Sequence, residues 1–295
     1  MLNSNQGILQ KNMDKKSSGW INGLIGVVIF AGSLPATRIA VMDLDPLFLT
    51  GARATIAALI GLTLLVFFRQ PRPALSDIPS LGIVAFGVVV GFPLFTALAL
   101  QHISSAHSTI FLGLLPLCTA IFGVLRGGES PRPIFWLFSI LGSSFVISYA
   151  ALGEIKASLE GNLFMLAAIV VCGLGYAEGA KLSRRLGGWQ VISWALAAML
   201  PIAWLTSPAS MDAVGASAWA GLAYVSLFSM FIGSVFWYRG LAQGGIAAVG
   251  QLQLLQPFLA LGVASTILHE TVSWGMMGVT LGAVSCVAGA RKFAN

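Results

Sequence analysis

Charge is scarce in this chain, because only 9% of the 295 residues are Asp, Glu, Lys or Arg. A soluble domain carries roughly 25% charged residues, since its surface faces water. The mean hydropathy of +0.88 is sustained over nearly the whole length, so a single buried core cannot account for the apolar excess. These values exclude an ordinary soluble protein and predict an integral membrane protein.

Cysteines and cofactor motifs are also few. Cys118, Cys172 and Cys286 lie in apolar runs without CxxC or Cys/His spacing, so we interpret them as packing residues. The sequence contains no HExxH zinc motif and no GxxxxGK[ST] nucleotide-binding motif. We therefore predict no metal site, no cofactor and no direct use of ATP.

Apolar stretches fill most of the chain. A spanning helix needs roughly 20 apolar residues at 1.5 Å rise per residue. Residues 1–19 form a polar tail, which we expect to be cytoplasmic, and short breaks separate ten apolar stretches after it. The sequence thus predicts an all-α protein with ten spans, at 20–41, 46–68, 79–100, 105–125, 133–151, 161–181, 188–206, 216–239, 246–267 and 272–290.

Basic residues fall on one side of this arrangement. Cytoplasmic loops of membrane proteins hold an excess of Lys and Arg. With successive loops assigned to alternate sides, 13 of the 16 Lys and Arg residues share the side of both termini, and only Lys156 lies on the other. Arg38 and Arg53 lie within spans. Both termini are therefore predicted to be cytoplasmic, and the net charge of +6 reflects topology rather than a nucleic-acid surface.

An internal repeat divides the chain into a first half, 20–151, and a second half, 161–291. A shift of 141 residues aligns three identical residues in the same order: Leu100 with Leu241, Pro116 with Pro257, and Glu129 with Glu270. Each half has five predicted spans, an odd number, so the second half would enter the membrane inverted. Inverted repeats with a substrate site between them are typical of secondary transporters that work by alternating access.

Three segments resemble a known family: LTGARATIAALIGLTLL, ALALQHISSAHSTIFLGLLPLCTAIFGVLRGGE and YRGLAQGGIAAVGQLQLLQPFLALGVASTILHE. The chain resembles, over nearly its whole length, the EamA-like ten-span exporters of the drug/metabolite transporter superfamily. The resemblance implies a secondary carrier, not an enzyme, which exports amino acids, related metabolites or drugs through a central cavity lined by both halves. Short loops favour the inner (plasma) membrane of a bacterium.

Two ionisable groups inside spans are functional candidates, since such groups normally face protein or a watery cavity. Glu178 either pairs with Lys181 three residues later on the same helix face, or takes up and releases protons that couple to transport. Arg53 either has a structural partner or binds an amino-acid substrate, whose carboxylate a guanidinium holds in two-pronged geometry. The sequence leaves both pairs of alternatives open.

A polar and aromatic cavity wall is also predicted. Gln253 and Gln256 share a helix face, and amides are costly in lipid unless they face a partner or a cavity. Pro257 and Pro116 each free a backbone carbonyl at matched places in the two halves, which favours a role in gating. Aromatic side chains on several spans are candidates for an apolar substrate pocket: Phe30, Phe92, Tyr176 and Trp237.

Two other functions fit the sequence less well. A nucleotide-sugar or lipid-linked-sugar translocator would need more charged groups to handle pyrophosphate, and Arg53 is the one obvious deep cation. A membrane transferase would need paired aspartates or a His/Asp set on a cytoplasmic loop. The predicted cytoplasmic loops hold only isolated Asp77 and Glu129.

Overall fold

The structure, a computed structural model, describes residues 2–103, 108, 111–151, 158–203, 214–259 and 274–294. Within these ranges the chain is helical and contains no strand. The α-helices are α1 Leu2–Ala31, α2 Ser33–Ala40, α3 Pro46–Phe67, α4 Ile78–Val84, α5 Phe92–His102, α6 Leu115–Gly127, α7 Pro133–Ala151, α8 Leu159–Leu186, α9 Gly188–Ala203, α10 Ala216–Tyr224, α11 Ser234–Gly244, α12 Ile246–Gly250 and α13 Trp274–Phe293.

Five helical stretches are long and apolar enough to cross a bilayer: Asp14–Ala40, Pro46–Phe67, Leu75–His102, Leu159–Leu186 and Ala216–Gly244. Four shorter apolar helices accompany them: Leu115–Gly127, Pro133–Phe145, Gly188–Leu200 and Ile246–Leu259. The prediction of an all-α membrane protein is confirmed. The count of ten spans stays a prediction, because parts of the fourth, seventh, ninth and tenth predicted spans lie outside the described residues.

Helices of the two halves pack against each other in matched pairs. Helix α1 packs along α11, and α8 packs along α4, α5 and the segment between them. These contacts join the first predicted span to the eighth and the sixth to the third. Helix α3 packs along α9, and α7 packs along α13, so the second predicted span meets the seventh and the fifth meets the tenth. A shift of five spans turns the contact between the first and eighth spans into the contact between the sixth and third. The same shift turns the second–seventh and fifth–tenth contacts into themselves.

Two π-helical segments occupy corresponding places in the halves. Ala85–Gly91 joins α4 to α5, and Val225–Gly233 joins α10 to α11. Their first and last residues are related by shifts of 140 and 142 residues, close to the 141-residue repeat. A π segment leaves backbone carbonyls without their usual intrahelical partner and is frequent at functional sites.

Three other helices are interrupted, each near a proline. Gly32 separates α1 from α2 ahead of Pro35, a turn precedes α6 ahead of Pro116, and the 3₁₀ segment Gln251–Leu255 precedes Pro257. Proline lacks the N–H that would continue the preceding turn, and its ring clashes with the carbonyl four residues earlier. Pro116 and Pro257 therefore lie at helix irregularities at the matched places predicted from the repeat.

Basic side chains gather at one end of the helix bundle, which we call the basic end. Lys15, Arg184 and Arg239 line one surface cavity there. The guanidinium of Arg291 lies 4.8 Å from the ring centre of Trp20, which brings the end of α13 to the same place. At the other end of the bundle, Asp43 Oδ2 accepts a hydrogen bond from the Gly215 backbone N–H at 3.0 Å.

Glycine allows α1 and α11 to approach closely. A Cβ added at Gly240 would lie 2.6 Å from the backbone nitrogen of Gly23 and 2.8 Å from its Cα. Small residues at helix contacts are the usual means of close packing between membrane helices. Two backbones meet here, so neither can move aside without shifting its helix.

We expect Gly240→Ala to lower the thermal unfolding midpoint, because overpacking costs about 1–3 kcal/mol. Gly82→Ala is the matched control, since no heavy atom of the described residues beyond the backbone of its own helix turn lies within 4 Å of a Cβ at Gly82. The two variants are compared by thermal unfolding of the purified protein in detergent. Equal midpoints for both would show that the α1–α11 contact is not tight.

Candidate functional site

A cavity lies at the centre of the bundle, where the irregular helix segments converge. It is narrow: the space in it that is open to a water-sized molecule is about 30 Å³, which is room for about two waters. Both halves contribute to its wall: Phe30, Ser33, Leu34, Arg53, Val88, Phe92, Pro93, Leu112 and Leu115 from the first, and Tyr176, Ser229, Met230, Ser234 and Gln256 from the second. The structure thus brings together five residues of the predicted pocket: Phe30, Arg53, Phe92, Tyr176 and Gln256.

Arg53 is the charged residue of this wall. It lies on α3 and is 5% exposed. Its Nη2 donates to the backbone carbonyl of Val225 at 3.3 Å, at the start of the second π segment. Its Nε is buried and has no hydrogen-bond partner among the described residues. The guanidinium therefore reaches across to the second half, with donor capacity left over.

Polar contacts across the cavity connect the first predicted span with spans of the second half. The Ser229 hydroxyl lies 3.0 Å from the Ser33 hydroxyl, with Ser229 assigned as the donor. Gln256 Nε2 donates to the Phe30 carbonyl at 3.3 Å. These bonds form at the break after the end of α1 at Ala31, so the break exposes backbone and hydroxyl groups to the cavity instead of to lipid.

Trp237 and Gln253 lie outside the cavity wall. Trp237 is fully buried behind it, with ring centres 6.1 Å from Phe30 and 5.5 Å from Tyr176. It supports two lining aromatics from behind. Gln253 lies in the 3₁₀ segment, is 1% exposed, and neither its amide nitrogen nor its amide oxygen has a hydrogen-bond partner among the described residues.

Glu178 lies on α8 between the cavity and the basic end. Its side chain is fully buried and is contacted by Arg126 Nε from the end of α6. Lys181 Nζ, on the same helix, lies 3.9 Å from Glu178 Oε2. The structure therefore supplies the local partner expected from the sequence and adds a closer one from the other half.

Glu129 caps a helix of the opposite half at the basic end. Its two carboxylate oxygens accept the backbone N–H groups of Ile246 and Ala247, both at 2.7 Å, at the start of α12. Arg184 Nη2 also donates to Glu129 Oε1 at 2.8 Å. A carboxylate is well placed at a helix N-terminus, where unpaired N–H groups and the helix dipole favour negative charge.

A third ion pair joins the halves nearby. Asp77, which is buried, bonds to Arg185 at the end of α8. Glu178 with Arg126, Glu129 with Arg184, and Asp77 with Arg185 each pair one residue of the first half with one of the second. We call these three contacts the basic-end ion pairs.

Several of these residues were not identified as functional from the sequence. Ser33, Ser229 and Ser234 are ordinary small residues in apolar spans, and nothing in their spacing distinguishes them. The sequence pointed to Glu129 only in part, because the internal repeat aligns it with an identical residue, Glu270. Glu270 lies outside the described residues.

Comparisons with known proteins agree with this fold. The model of the EamA-like transporter family matches residues 17–149 and again residues 159–291. The uncharacterized transporter YdeK of Bacillus subtilis (strain 168) is 63% identical over 287 residues, which cover 96% of this chain and 100% of YdeK. The uncharacterized inner membrane transporter YedA of Escherichia coli (strain K12) is 22% identical over 88% of this chain and 87% of YedA.

A solved crystal structure has the same fold, with a TM-score of 0.76 at 20% sequence identity, over 95% of this chain and 98% of the other. The family model accounts for nearly all of the chain in two successive matches, and both relatives carry transporter names. The chain belongs to the EamA-like transporter family.

Proposed function

We propose that this protein is a secondary transporter that moves a small amphipathic metabolite across the membrane by alternating access. One observation carries the proposal: a central cavity is lined by both halves, and the halves are joined on one side of it by the basic-end ion pairs. Ion pairs between two bodies can break and re-form as one body rocks against the other, whereas covalent or intrahelical contacts cannot.

The proposal includes ten spans in two inverted five-span halves. The matched helix pairs, α1 with α11 and α8 with α4 and α5, are what a two-fold relation between halves would produce. The two π segments at corresponding positions give independent support. An axis in the membrane plane would then place the cavity at mid-depth, where inverted-repeat transporters bind substrate.

We further propose that the basic end and both termini face the cytoplasm of a bacterium. Lys and Arg concentrate on the cytoplasmic side of membrane proteins, and the basic end holds Lys15, Arg184 and Arg239. With its halves joined at that end, the protein would be in a state closed to the cytoplasm. The inner-membrane name of the Escherichia coli relative agrees with the plasma membrane as its location.

Export of amino acids or related metabolites is the activity that the family resemblance implies. The cavity wall is mostly apolar, with hydroxyl, amide and guanidinium groups at separate points, which suits an amphipathic molecule. Transporter-named relatives favour a carrier over a membrane transferase.

Proton coupling at Glu178 is the remaining part of the proposal. In proteoliposomes screened with amino acids and related metabolites, an imposed pH gradient is expected to drive uptake by the wild type. Glu178→Gln is expected to abolish that acceleration while leaving substrate exchange, because a buried amide cannot carry the proton. Glu160→Gln is the matched control, since Glu160 is an exposed acid at the opposite end of the bundle.

The two results separate transport from coupling. Gradient-driven uptake by Glu178→Gln at the wild-type rate would leave Glu178 as a structural partner of Arg126 and Lys181. Failure of the wild type to move any compound of the screen, in the presence or absence of a gradient, would count against the transporter proposal itself.

A further inference from the structure

We infer that the substrate is an organic anion, a carboxylate with an apolar body and without an ammonium group, and that Arg53 is its counter-ion. The inference rests on the proposed function, and among the substrates implied by the family it favours related carboxylate metabolites over amino acids. It follows from the charges of the central cavity, which are unbalanced in the described structure.

A buried cation inside a membrane protein needs an anion. Removing a guanidinium from water costs several kcal/mol, which partners normally offset. Within the described ranges no carboxylate lies within 4.0 Å of Arg53, although five other acid–base contacts of that length are present: those of His102, Arg126, Lys181, Arg184 and Arg185. In this part of the chain, Arg53 instead makes one long bond to the Val225 carbonyl, and its Nε has no partner among the described residues.

The other arginine within a predicted span, Arg38, shows how the protein pairs a guanidinium that has only a structural role. Arg38 lies near the end of α2, outside the cavity wall, and its Nη1 bonds to the Leu100 carbonyl in the last turns of α5. A helix C-terminus carries partial negative charge, so that carbonyl is a suitable partner for a cation. The carbonyl that Arg53 contacts is not at the end of a helical stretch, because the helix continues past Val225 through the π segment to Gly244.

Arg53 is part of the cavity wall, so a ligand that enters the cavity when the bundle opens would meet its unused donors. Guanidinium matches carboxylate through two parallel N–H···O bonds. Around it, Phe92, Leu112 and Met230 provide apolar surface for the body of the ligand. A carboxylate bound here would neutralise the site, and its arrival would remove the penalty of the bare cation.

The same wall is poorly suited to an ammonium group. Among the described residues, its other polar side chains are the hydroxyls of Ser33, Ser229, Ser234 and Tyr176 and the amide of Gln256, and none of the lining side chains is acidic. The nearest acid along α8, Glu178, is already contacted by Arg126. A zwitterionic amino acid would satisfy Arg53 but leave its own cation without a carboxylate, so loss of the ammonium group should strengthen binding.

The test compares an amino acid with the carboxylate that lacks its amino group and with the amine that lacks its carboxyl group. Binding to the full-length protein in detergent is measured by thermal shift at millimolar ligand concentration. The probes are leucine, 4-methylpentanoate and 3-methylbutan-1-amine, and the aromatic set phenylalanine, 3-phenylpropanoate and 2-phenylethylamine. The carboxylates are expected to raise the unfolding midpoint most, the amino acids less, and the amines not at all. Amino acids that stabilise as much as the carboxylates, or carboxylates that do not stabilise, overturn the inference.

Two variants locate the effect. Arg53→Gln is expected to weaken the carboxylate response about tenfold or more, since a hydrogen bond to a charged group contributes about 1.5–3 kcal/mol. The same variant without ligand is expected to unfold about 2–4 °C higher, because an unpaired buried cation has been removed. Arg38→Gln should leave the carboxylate response intact. A lower midpoint for unliganded Arg53→Gln, with the carboxylate response retained, would make Arg53 structural.

Uptake of the same compounds into proteoliposomes separates this inference from the proposed function. Binding of carboxylates through Arg53 without uptake supports the anion site and contradicts transport. Uptake of amino acids or amines that is unaffected by Arg53→Gln supports transport and contradicts the anion site.

Discussion

Replacing Glu129 with alanine is expected to open the basic end and, with the proposed orientation, to shift the protein toward a state open to the cytoplasm. The change removes the acceptor of two backbone N–H groups of α12 and the partner of Arg184. Bonds to a charged group contribute about 1.5–3 kcal/mol each, so their loss should shift the equilibrium about tenfold or more. A single substitution thus removes three contacts between the halves at once.

A cysteine at Ser234, which lines the cavity, reports the shift. In inside-out vesicles a membrane-impermeant thiol reagent is expected to label Ser234→Cys faster in the Glu129→Ala background, relative to the parent chain with its three native cysteines. In right-side-out vesicles labelling should slow. Glu160→Ala is the control, since Glu160 lies at the opposite end and pairs only with His102, at 3.7 Å, among the ion pairs of the described residues. Unchanged labelling on both sides would exclude Glu129 as a gate residue.

Arg126→Glu is expected to destabilise the protein more than any other single change at the basic-end ion pairs. It sets a second carboxylate against Glu178, whose side chain is completely buried. Breaking a buried pair by removing one partner costs about 3–5 kcal/mol, and the half-exposed position of Arg126 places the value near the lower limit. We expect a lower thermal midpoint and less folded protein after purification.

Charge reversal distinguishes the pair from general damage. The double variant Arg126→Glu with Glu178→Arg restores opposite charges and should recover part of the lost stability. Lys181→Gln should have a small effect, because Lys181 Nζ is 3.9 Å from Glu178 and half exposed. A double variant no more stable than Arg126→Glu alone would mean that the pair contributes no specific attraction.

Local patterns were readable from the sequence and held in the structure. Within the described residues the apolar stretches formed helices, and the irregularities near Pro116 and Pro257 followed from the missing proline N–H. The 3-residue spacing of Glu178 and Lys181 placed them within 4 Å on one helix. Each of these features depends on residues within about one or two helical turns, and such short-range geometry is the same in every α-helix.

Contacts between distant residues could not be predicted in this way. Arg126 is 52 positions from Glu178, and the Ile246 N–H is 117 positions from the Glu129 carboxylate. Trp237 was a candidate pocket residue because its side chain is aromatic, but packing placed it behind Phe30 and Tyr176. The residues of the two π segments also contain no pattern that would have predicted them. Pro93, just after the first segment, is the nearest sequence signal.

By itself the sequence determined that the chain belongs in a membrane, that it is helical, and that its two halves are related. Those properties come from the transfer of side chains into lipid and from backbone bonds within single helices, both of which are local. Only the tertiary structure decided that Arg53 lines a cavity whose described residues include no acid, and that Glu129 caps a helix of the other half. Burial and pairing of a charge depend on which helices meet, and that is fixed by the packing of the whole bundle.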